Sequence, residues 1–254
     1  MNDGFQKEDL VHEIETFLDS DDIRLPITLL KEIFPKKSDI FIVGGALRNV
    51  IINYFHKAAP KTIDIDIFIG NISEKYPLEV LFKNLRYVKT DLGGIRWYPE
   101  RSEFSFDLCL VPKFLPIRKY GLEPTLNNLL ESLDFNVNAV IYQVGCHAFH
   151  EKKCIEGIRS RIMHFNTRLF GDKIILIYRI LVISHKIDFL ISEAIYNYLK
   201  YAVDLSTLTE AKSVLASKFG MPKADLILRW YDHMAGFGDY SQYFREESKR
   251  ILMV

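Results

Sequence analysis

The sequence predicts an α+β protein, in which a mixed β-sheet with flanking helices is followed by an all-helical C-terminal region. Strand-like alternation of apolar and polar residues is concentrated before residue 145, and helical periodicity dominates after residue 165. The 254 residues, 48% of them hydrophobic and 26% charged, suffice for one large core or two modest ones. We expect N-terminal helices over residues 1–36, a head over 37–150 and a helical neck and C-terminal region over 151–254.

The elements follow in order along the chain. Apolar residues at helical spacing predict two opening helices, with Leu10, Val11, Ile14, Phe17 and Leu18 in the first and Leu29, Leu30, Ile33 and Phe34 in the second. A strand at 40–43, a Gly44-Gly45 turn and a helix over 46–56 come next. Alternation or short apolar runs predict strands at 63–69, 87–90, 95–98, 103–111 and 139–144, and periodicity predicts helices at 78–85 and 174–183.

Bulk composition narrows the class of protein. The net charge is zero, and the three cysteines show no CxxC spacing, which argues against a zinc site and for a reducing compartment. The acidic N-terminus, Asp3 included, lacks the apolar core of a secretory signal, and the apolar run 174–183 is too short to span a bilayer. We therefore expect a cytoplasmic protein that has no membrane partner. The oligomeric state is not predicted.

The segment 62–69 carries the most informative pattern. It reads Thr-Ile-Asp-Ile-Asp-Ile-Phe-Ile, and side chains alternate between the two faces of a strand. One face is expected to be buried by Ile63, Ile65, Ile67 and Ile69, and the other to carry Asp64 and Asp66. Two carboxylates that close repel each other and are costly to bury unpaired, whereas Mg²⁺ prefers such oxygen ligands. The alternative, common for an isolated Asp-x-Asp, is an exposed face with two solvated acids.

Two further features favour a metal site for phosphoryl transfer. Asp107 interrupts the polar face of the strand at 103–111 and is a candidate third ligand for a pair of metal ions, placed to help deprotonate an attacking hydroxyl. Gly44-Gly45 stands at a strand-to-helix junction, where backbone N–H groups can receive a phosphate that Arg48 could also reach. A Gly-Gly pair alone is more often a simple turn, but the order of these features is informative.

These blocks resemble the polymerase-β-type nucleotidyltransferases, and among them the head and neck of class II CCA-adding enzymes and bacterial poly(A) polymerases. Residues 43–49 (Val-Gly-Gly-Ala-Leu-Arg-Asn) resemble the family's Gly-Gly-x-x-Arg-Asp, and residues 63–66 its metal-binding Asp-x-Asp. Residues 133–139 (Leu-Asp-Phe-Asn-Val-Asn-Ala) are similar to its Arg-Arg-Asp-Phe-Thr-Ile-Asn-Ala, whose Asp is associated with the nucleotide sugar, and residues 155–164 to its hinge motif. The resemblance covers roughly residues 38–185.

The resemblance implies a set of site residues and ligands. Catalysis and the binding of Mg²⁺, or Mn²⁺ in its place, fall to Asp64, Asp66 and Asp107. Nucleotide binding falls to Gly44, Gly45, Arg48, Asp134, Asn138, Asp172 and Arg179. The implied partners are an NTP (ATP, CTP or both) and an RNA acceptor.

The sequence also departs from the family pattern. Asn49 stands where aspartate is usual, and Ser132-Leu133 stand in place of two arginines. The base-reading motif Glu-Asp-x-x-Arg is reduced to Gly-Asp-Lys-Ile-Ile at residues 171–175, with Arg179 as the nearest arginine. About 70 residues follow residue 185, so a short helical body is expected. Base selection is therefore expected to be altered.

We conclude from the sequence that a nucleoside monophosphate is transferred from an NTP to a hydroxyl, most fittingly an RNA 3′ end resembling that of tRNA, with release of pyrophosphate. Three alternatives stay open. The acceptor could be a protein or a small molecule, as in toxin or defence systems. The chain could be a catalytically inactive nucleotide- or RNA-binding homologue. A glycosyltransferase also uses Asp-x-Asp with a metal ion, but it needs neither the Gly-Gly helix turn nor a third strand carboxylate.

Overall fold

The structure is a computed structural model that describes residues 6–90 and 93–252; Asp3 of the acidic N-terminus lies outside this part of the chain. The helices are α1 (Lys7–Leu18), α2 (Asp21–Ile33), α3 (Gly45–His56), α4 (Leu78–Leu81), α5 (Leu115–Lys119), α6 (Leu126–Glu131), α7 (Cys154–Ser160), α8 (Lys173–Ile187), α9 (Glu193–Tyr201), α10 (Leu205–Phe219), α11 (Met221–Ala235) and α12 (Tyr240–Leu252). The strands are β1 (Asp39–Val43), β2 (Asp64–Gly70), β3 (Tyr87–Lys89), β4 (Ile95–Trp97), β5 (Ser105–Leu110), β6 (Val140–Gln143), β7 (Ala148–Glu151), β8 (Ile162–Met163) and β9 (Leu190–Ile191).

Seven of these strands form one mixed sheet in the order β3-β4-β5-β2-β1-β6-β7. The β2–β5 pair is parallel, and the remaining neighbours in this sheet pair antiparallel. Strands β8 and β9 make a separate parallel pair. The two strands that carry the predicted carboxylates therefore lie side by side in the middle of the sheet.

The alternation of β2 divides its residues between two environments. Ile65, Ile67 and Ile69 are fully buried in the main core, which they share with α1, α2 and α3. Asp64 and Asp66 face the other side and are partly buried. The expectation that Ile63 joins the buried face is wrong, because β2 begins only at Asp64 and the Ile63 side chain is 60% exposed.

On the carboxylate side the sheet carries a smaller apolar cluster. Phe41, Val43, Phe68 and Ile141 pack there against Leu129 and Leu130 of α6. Helix α6 begins at a polar cap, because the Thr125 hydroxyl accepts a hydrogen bond from the backbone N–H of Asn128 at 3.2 Å. This cluster stabilises the loop between α6 and β6, which contributes to the site described below.

From α8 onward the chain is helical, apart from the two residues of β9. Helices α8, α10 and α11 pack against one another, and their apolar residues join the main core. Within the described residues no helix combines the length and the apolar character needed to cross a bilayer.

The α+β class is confirmed, with three corrections to the predicted elements. The helix expected over 78–85 ends at Leu81. Strand β7 follows residue 145, where few strands were expected; all four of its residues are only partly buried, so it lacks the alternation of a half-buried strand. Strands β8 and β9, of two residues each, are too short to leave a periodic pattern.

Candidate active site

The junction between β1 and α3 is shaped by Gly44. Its φ of +69° and ψ of −114° lie in a region that residues with a side chain avoid. Gly44 N–H donates to the Val140 carbonyl at 3.0 Å, and the Gly44 carbonyl accepts from Arg48 N–H at 2.8 Å. The turn thus ties β1 to β6 and starts α3. A side chain at Gly45 would lie 4.0 Å from Asp66 Oδ2, so the start of the helix lies directly beside the carboxylate.

Asp64 and Asp66 lie together at the start of β2, as predicted. In the register of the sheet Asp66 stands opposite Val43 of β1 and Asp107 of β5. Burial, and then the charges of Asp64 and Asp107, raise the pKa of Asp66 to about 7. A carboxylate whose ionisation is opposed in this way gains from a nearby cation.

Asp107 lies beside Asp66 but is already paired. Arg96 of β4 stands opposite Asp107 in the register, and its Nε and Nη2 donate to Asp107 Oδ1 and Oδ2, both at 2.6 Å. The hydrogen bonds to Asp107 raise the pKa of Arg96. The sequence pattern singled out Asp107 but did not reveal that Arg96 pairs with it, and the catalytic role of Asp107 stays a prediction. The ion pair must open before both oxygens of Asp107 can ligate a metal ion.

Arg48 is buried at the first turn of α3. Its guanidinium donates to Asn49 Oδ1 at 2.9 and 3.1 Å and to Asn138 Oδ1 at 2.7 Å, and Asn49 in turn donates to the Thr62 hydroxyl at 3.0 Å. These three bonds end on neutral amide oxygens, and burial lowers the pKa of Arg48 to about 10, although the charges of Asp134 and Asp66 act in the opposite direction. Asn49 therefore fixes the position of Arg48 without adding a negative charge.

Asp134, Asn138 and Arg179 form a polar chain continuous with Arg48. Asn138 Nδ2 donates to Asp134 Oδ1 at 3.2 Å, and the same oxygen accepts from Phe135 N–H at 2.9 Å. The other oxygen, Oδ2, accepts a short hydrogen bond from Arg179 Nε. Burial lowers the pKa of Arg179, but the charge of Asp134 outweighs this and leaves it raised. The chain links the start of α3, the loop before β6 and α8.

Asp172 is the N-cap of α8. Its Oδ1 accepts hydrogen bonds from the backbone N–H groups of Ile174 and Ile175, at 2.8 and 3.0 Å. Ile175 lies three residues after Asp172 on this helix, and Arg179 hydrogen-bonds to Asp134; the altered base selection stays a prediction. The structure adds a local role for Asp172 that the sequence pattern also permits, because aspartate is a favoured N-cap residue.

An open cavity of about 370 Å³ brings these groups together. Of the predicted residues, it is lined by Gly44, Gly45, Arg48, Asp64, Asp66, Asp134, Asn138, Asp172 and Arg179. Asp107 is not among the lining residues, and Lys186, which the sequence did not single out as a site residue, is. Lys186 lies seven residues, or two helical turns, after Arg179, so helical periodicity could have identified it.

Part of the cavity lining is apolar. Phe68 and Phe114 meet edge to face, with ring centroids 5.0 Å apart, and Leu133, Phe170 and Ile175 are among the other apolar lining residues. Acidic, cationic and apolar surfaces therefore surround one volume. Such a combination is suited to a ligand with a metal-bound phosphate and a flat apolar moiety.

The carboxylates of the cavity include possible ligands for a divalent metal ion. Asp64 and Asp66 offer hard oxygen donors on one strand face, and burial together with the neighbouring carboxylates raises the pKa of Asp66. The Asp64–Asp66 pair is therefore a suitable ligand set for a hard divalent cation. Among the described residues, no group of three or more His, Cys, Asp or Glu side chains is arranged to hold a metal ion. The carboxylate pair is therefore the part of the predicted triad that fits as it stands.

Comparison with solved structures shows that the fold is similar to that of CCA-adding enzymes. The complex of a CCA-adding enzyme with ATP matches with a TM-score of 0.59 and 17% identity over 89% of this chain and 54% of that chain. The complex with CTP matches with a TM-score of 0.57 and 16% identity, over 88% and 53%. The Thermotoga maritima CCA-adding enzyme complexed with tRNA matches with a TM-score of 0.56 and 16% identity, over 89% and 53%.

The structural similarity covers most of this chain but only part of each matching protein. This chain spans about half the length of the solved proteins it matches. No protein-family model matches the sequence, and no curated protein matches it significantly. At such identities the likeness establishes the fold alone: an α+β head with a helical C-terminal region that resembles the corresponding part of CCA-adding enzymes.

Proposed function

We propose that this chain is a metal-dependent nucleotidyltransferase that transfers a nucleoside monophosphate from an NTP to a hydroxyl acceptor. The observation that carries the proposal is the cavity in which Asp64 and Asp66 lie beside the N-terminus of α3 and opposite cations of α8. The similarity of the fold to CCA-adding enzymes, which have been solved with ATP, CTP and tRNA, supports it.

The triphosphate is proposed to lie between α3 and α8. Backbone N–H groups at the start of α3 favour anions, and the nearby Arg48 charge is not neutralised by its amide partners. Lys186 faces the same volume, and burial and then the charge of Arg48 lower its pKa. An anion between these two cations would relieve their repulsion.

The carboxylate pair is proposed to hold Mg²⁺, or Mn²⁺ in its place. When bound there, a divalent ion would polarise the phosphoryl group and favour ionisation of the acceptor hydroxyl. Asp64 and Asp66 would hold this ion beside the turn at Gly44-Gly45, where the backbone N–H groups at the start of α3 can receive a phosphate. The acceptor hydroxyl loses its proton to solvent as its oxygen forms a bond to the α-phosphorus, the bond from the α-phosphorus to the oxygen that bridges to the β-phosphate breaks, and pyrophosphate leaves.

An RNA 3′ end is the acceptor that we propose. Lys119 donates from Nζ to the carbonyl oxygens of Phe170 and Gly171, two residues of the cavity lining. Lys173 follows the lining residue Asp172 in the chain, and its Nζ lies 4.0 Å from Asp204 Oδ2. Lysines at the edge of a site favour a phosphate-rich acceptor. A protein or small-molecule hydroxyl is the alternative acceptor, and the experiment below separates the two.

One observation favours a second candidate, a catalytically inactive nucleotide- or RNA-binding protein. Asp107, expected as the third catalytic carboxylate, is engaged by Arg96 through two hydrogen bonds. An inactive homologue would bind NTP in the cavity without transferring any part of it.

The test is a labelling reaction with the purified chain. The protein is incubated with each α-labelled NTP, Mg²⁺ and total RNA, and the label is followed into RNA, into protein and into small molecules. We expect label in RNA, and none with Asp64→Ala or Asp66→Asn. Asp21→Asn, which removes a carboxylate paired with Arg24 at the surface, is the matched control. NTP binding without transfer to any fraction would favour the inactive protein.

A further inference from the structure

A row of charged residues crosses the centre of the sheet. In the register of the strands Arg96 stands opposite Asp107, and Asp107 stands opposite Asp66. Cross-strand partners lie on the same face of a sheet. Asp107 is therefore flanked by a guanidinium on one side and by a carboxylate of the proposed metal site on the other.

The pair between Arg96 and Asp107 has a favourable geometry. Two parallel hydrogen bonds of 2.6 Å join the guanidinium to both carboxylate oxygens, and the side chains of Arg96 and Asp107 are 40% and 23% exposed. Bidentate arginine–carboxylate pairs are among the stronger charged hydrogen bonds in proteins. The pKa of Arg96 is raised by the hydrogen bond to Asp107 and also by the charge of Asp64.

The three carboxylates are thus in different situations. Asp64 and Asp66 line the cavity, whereas Asp107 is not among its lining residues and both its oxygens are engaged by Arg96. A metal ion that used Asp107 would have to displace a guanidinium already held by two hydrogen bonds. Among the described residues no hydrogen bond or ion pair engages the side chain of Asp64 or Asp66, so a metal ion on these two carboxylates would displace no such partner.

We propose that Arg96 serves as a resident cation at the third carboxylate, so that the chain without nucleotide binds one divalent ion, on Asp64 and Asp66, and Asp107 is not a ligand. Arg96 is then a positioning residue: it takes the place beside Asp107 that a second metal ion would need. The inference rests on the proposed function, because it assumes a metal centre at Asp64 and Asp66. It departs from the expectation that Asp107 is a third ligand.

Mn²⁺ titration followed by electron paramagnetic resonance tests this without any activity measurement, because bound Mn²⁺ loses the signal of the free ion. The full chain is titrated without nucleotide, and bound ions per chain and affinity are determined. The native chain is expected to bind one ion, and Asp66→Asn to lose it. Arg96→Ala frees Asp107 and is expected to bind a second ion. Arg96→Lys, which keeps the charge, is expected to bind one.

A charge-neutral double variant provides the decisive comparison. Arg96→Ala combined with Asp107→Ala removes the ion pair while leaving the net charge of the site unchanged. If Asp107 is not a ligand, this variant binds one ion with an affinity within about threefold of the native chain, a difference of less than about 1 kcal/mol. Arg24→Ala, which breaks the surface pair with Asp21, serves as the control, and thermal melts check that each variant folds.

The outcomes separate the inference from the function on which it rests. Two ions on the native chain, or an affinity at least about tenfold weaker in the double variant, would overturn the role of Arg96 and leave the metal centre standing. The role of Arg96 would also be overturned if Arg96→Ala bound a single Mn²⁺ ion with the affinity of the native chain. A native chain that binds no Mn²⁺ with or without NTP would contradict the metal centre itself.

Discussion

Asp134 and Arg179 join the loop before β6 to helix α8 through an ion pair at the wall of the cavity. Both oxygens of Asp134 are engaged, one by Arg179 and the other by Asn138 and the backbone of Phe135. The Asp134 side chain is only 15% exposed, whereas that of Arg179 is 45% exposed. A nucleotide that enters the cavity therefore meets Arg179 first, with Asp134 behind it.

Asp134→Asn tests whether this pair prepares the nucleotide site. The amide oxygen can still accept from Phe135 N–H, but the charge that holds Arg179 is lost. We expect NTP affinity to fall by about tenfold, equivalent to about 1.4 kcal/mol, measured by calorimetric titration. The control is Asp225→Asn on α11, which removes the charge that pairs with Lys212 of α10. Unchanged NTP affinity together with a lower melting temperature would show that the pair has only a structural role.

The raised pKa of Asp66 predicts a pH dependence of stability. An aspartate in the unfolded chain ionises near pH 4, whereas Asp66 in the folded chain does so at about 7. Between these values the folded chain retains a proton that the unfolded chain has lost, so the contribution of Asp66 to stability declines as the pH rises through 7. We expect Asp66→Asn to be more stable than the native chain at pH 8 by about 1 kcal/mol or more, a rise in melting temperature of at least about 2–4 °C.

The same melts contain their own controls. At pH 4 to 5 the difference between native chain and variant should shrink, because Asp66 is then protonated in the folded chain. Mg²⁺ should raise the melting temperature of the native chain at pH 8 and have little effect on Asp66→Asn, since the ion favours the ionised pair. A variant that is no more stable than the native chain at pH 8 would show that the charge of Asp66 is compensated in solution.

Lys186→Gln tests the cationic wall formed by α8. Lys186 lines the cavity, and burial lowers its pKa. Its removal should relieve repulsion with Arg48, so the melting temperature should hold or rise, while NTP affinity falls by about tenfold. Lys212→Gln on α10, remote from the cavity lining, is the matched change and should leave affinity unaltered. An equal effect of both variants would indicate a general loss of positive charge.

The sequence was sufficient to place the carboxylates because strand alternation is a strong local constraint. Asp64 and Asp66 had to share a face once Ile65, Ile67 and Ile69 were buried, and the register then brought Asp107 beside Asp66. The turn at Gly44-Gly45 could also be predicted from the sequence, because the positive φ of Gly44 after a buried strand strongly favours glycine. The division of the chain into three regions stays a prediction.

The partners of these residues could not be read from the sequence, because they depend on long-range register. Arg96 meets Asp107 only through the pairing of β4 with β5 across a loop whose length does not fix the turn. Arg179 meets Asp134, 45 residues earlier in the chain, only after α8 has packed against the head. Arginine side chains in strands and on helices are mostly exposed to solvent, so neither arginine was distinctive in the sequence.

Asp172→Ala separates the structural role of Asp172 from base selection. The carboxylate caps α8 through the N–H groups of Ile174 and Ile175, and loss of such a cap costs about 1 kcal/mol, or about 2–4 °C in melting temperature.

Base reading by a pair of polar groups on this helix is not available, because Ile175 is apolar and Arg179 is hydrogen-bonded to Asp134. A site that leaves no polar partner unsatisfied when the wrong base enters discriminates weakly. We therefore expect competition among the four NTPs in one reaction to show relaxed preference, or a preference set by the acceptor, which Asp172→Ala changes only modestly. Strict addition of CTP before ATP, abolished in this variant, would show instead that Asp172 reads the base.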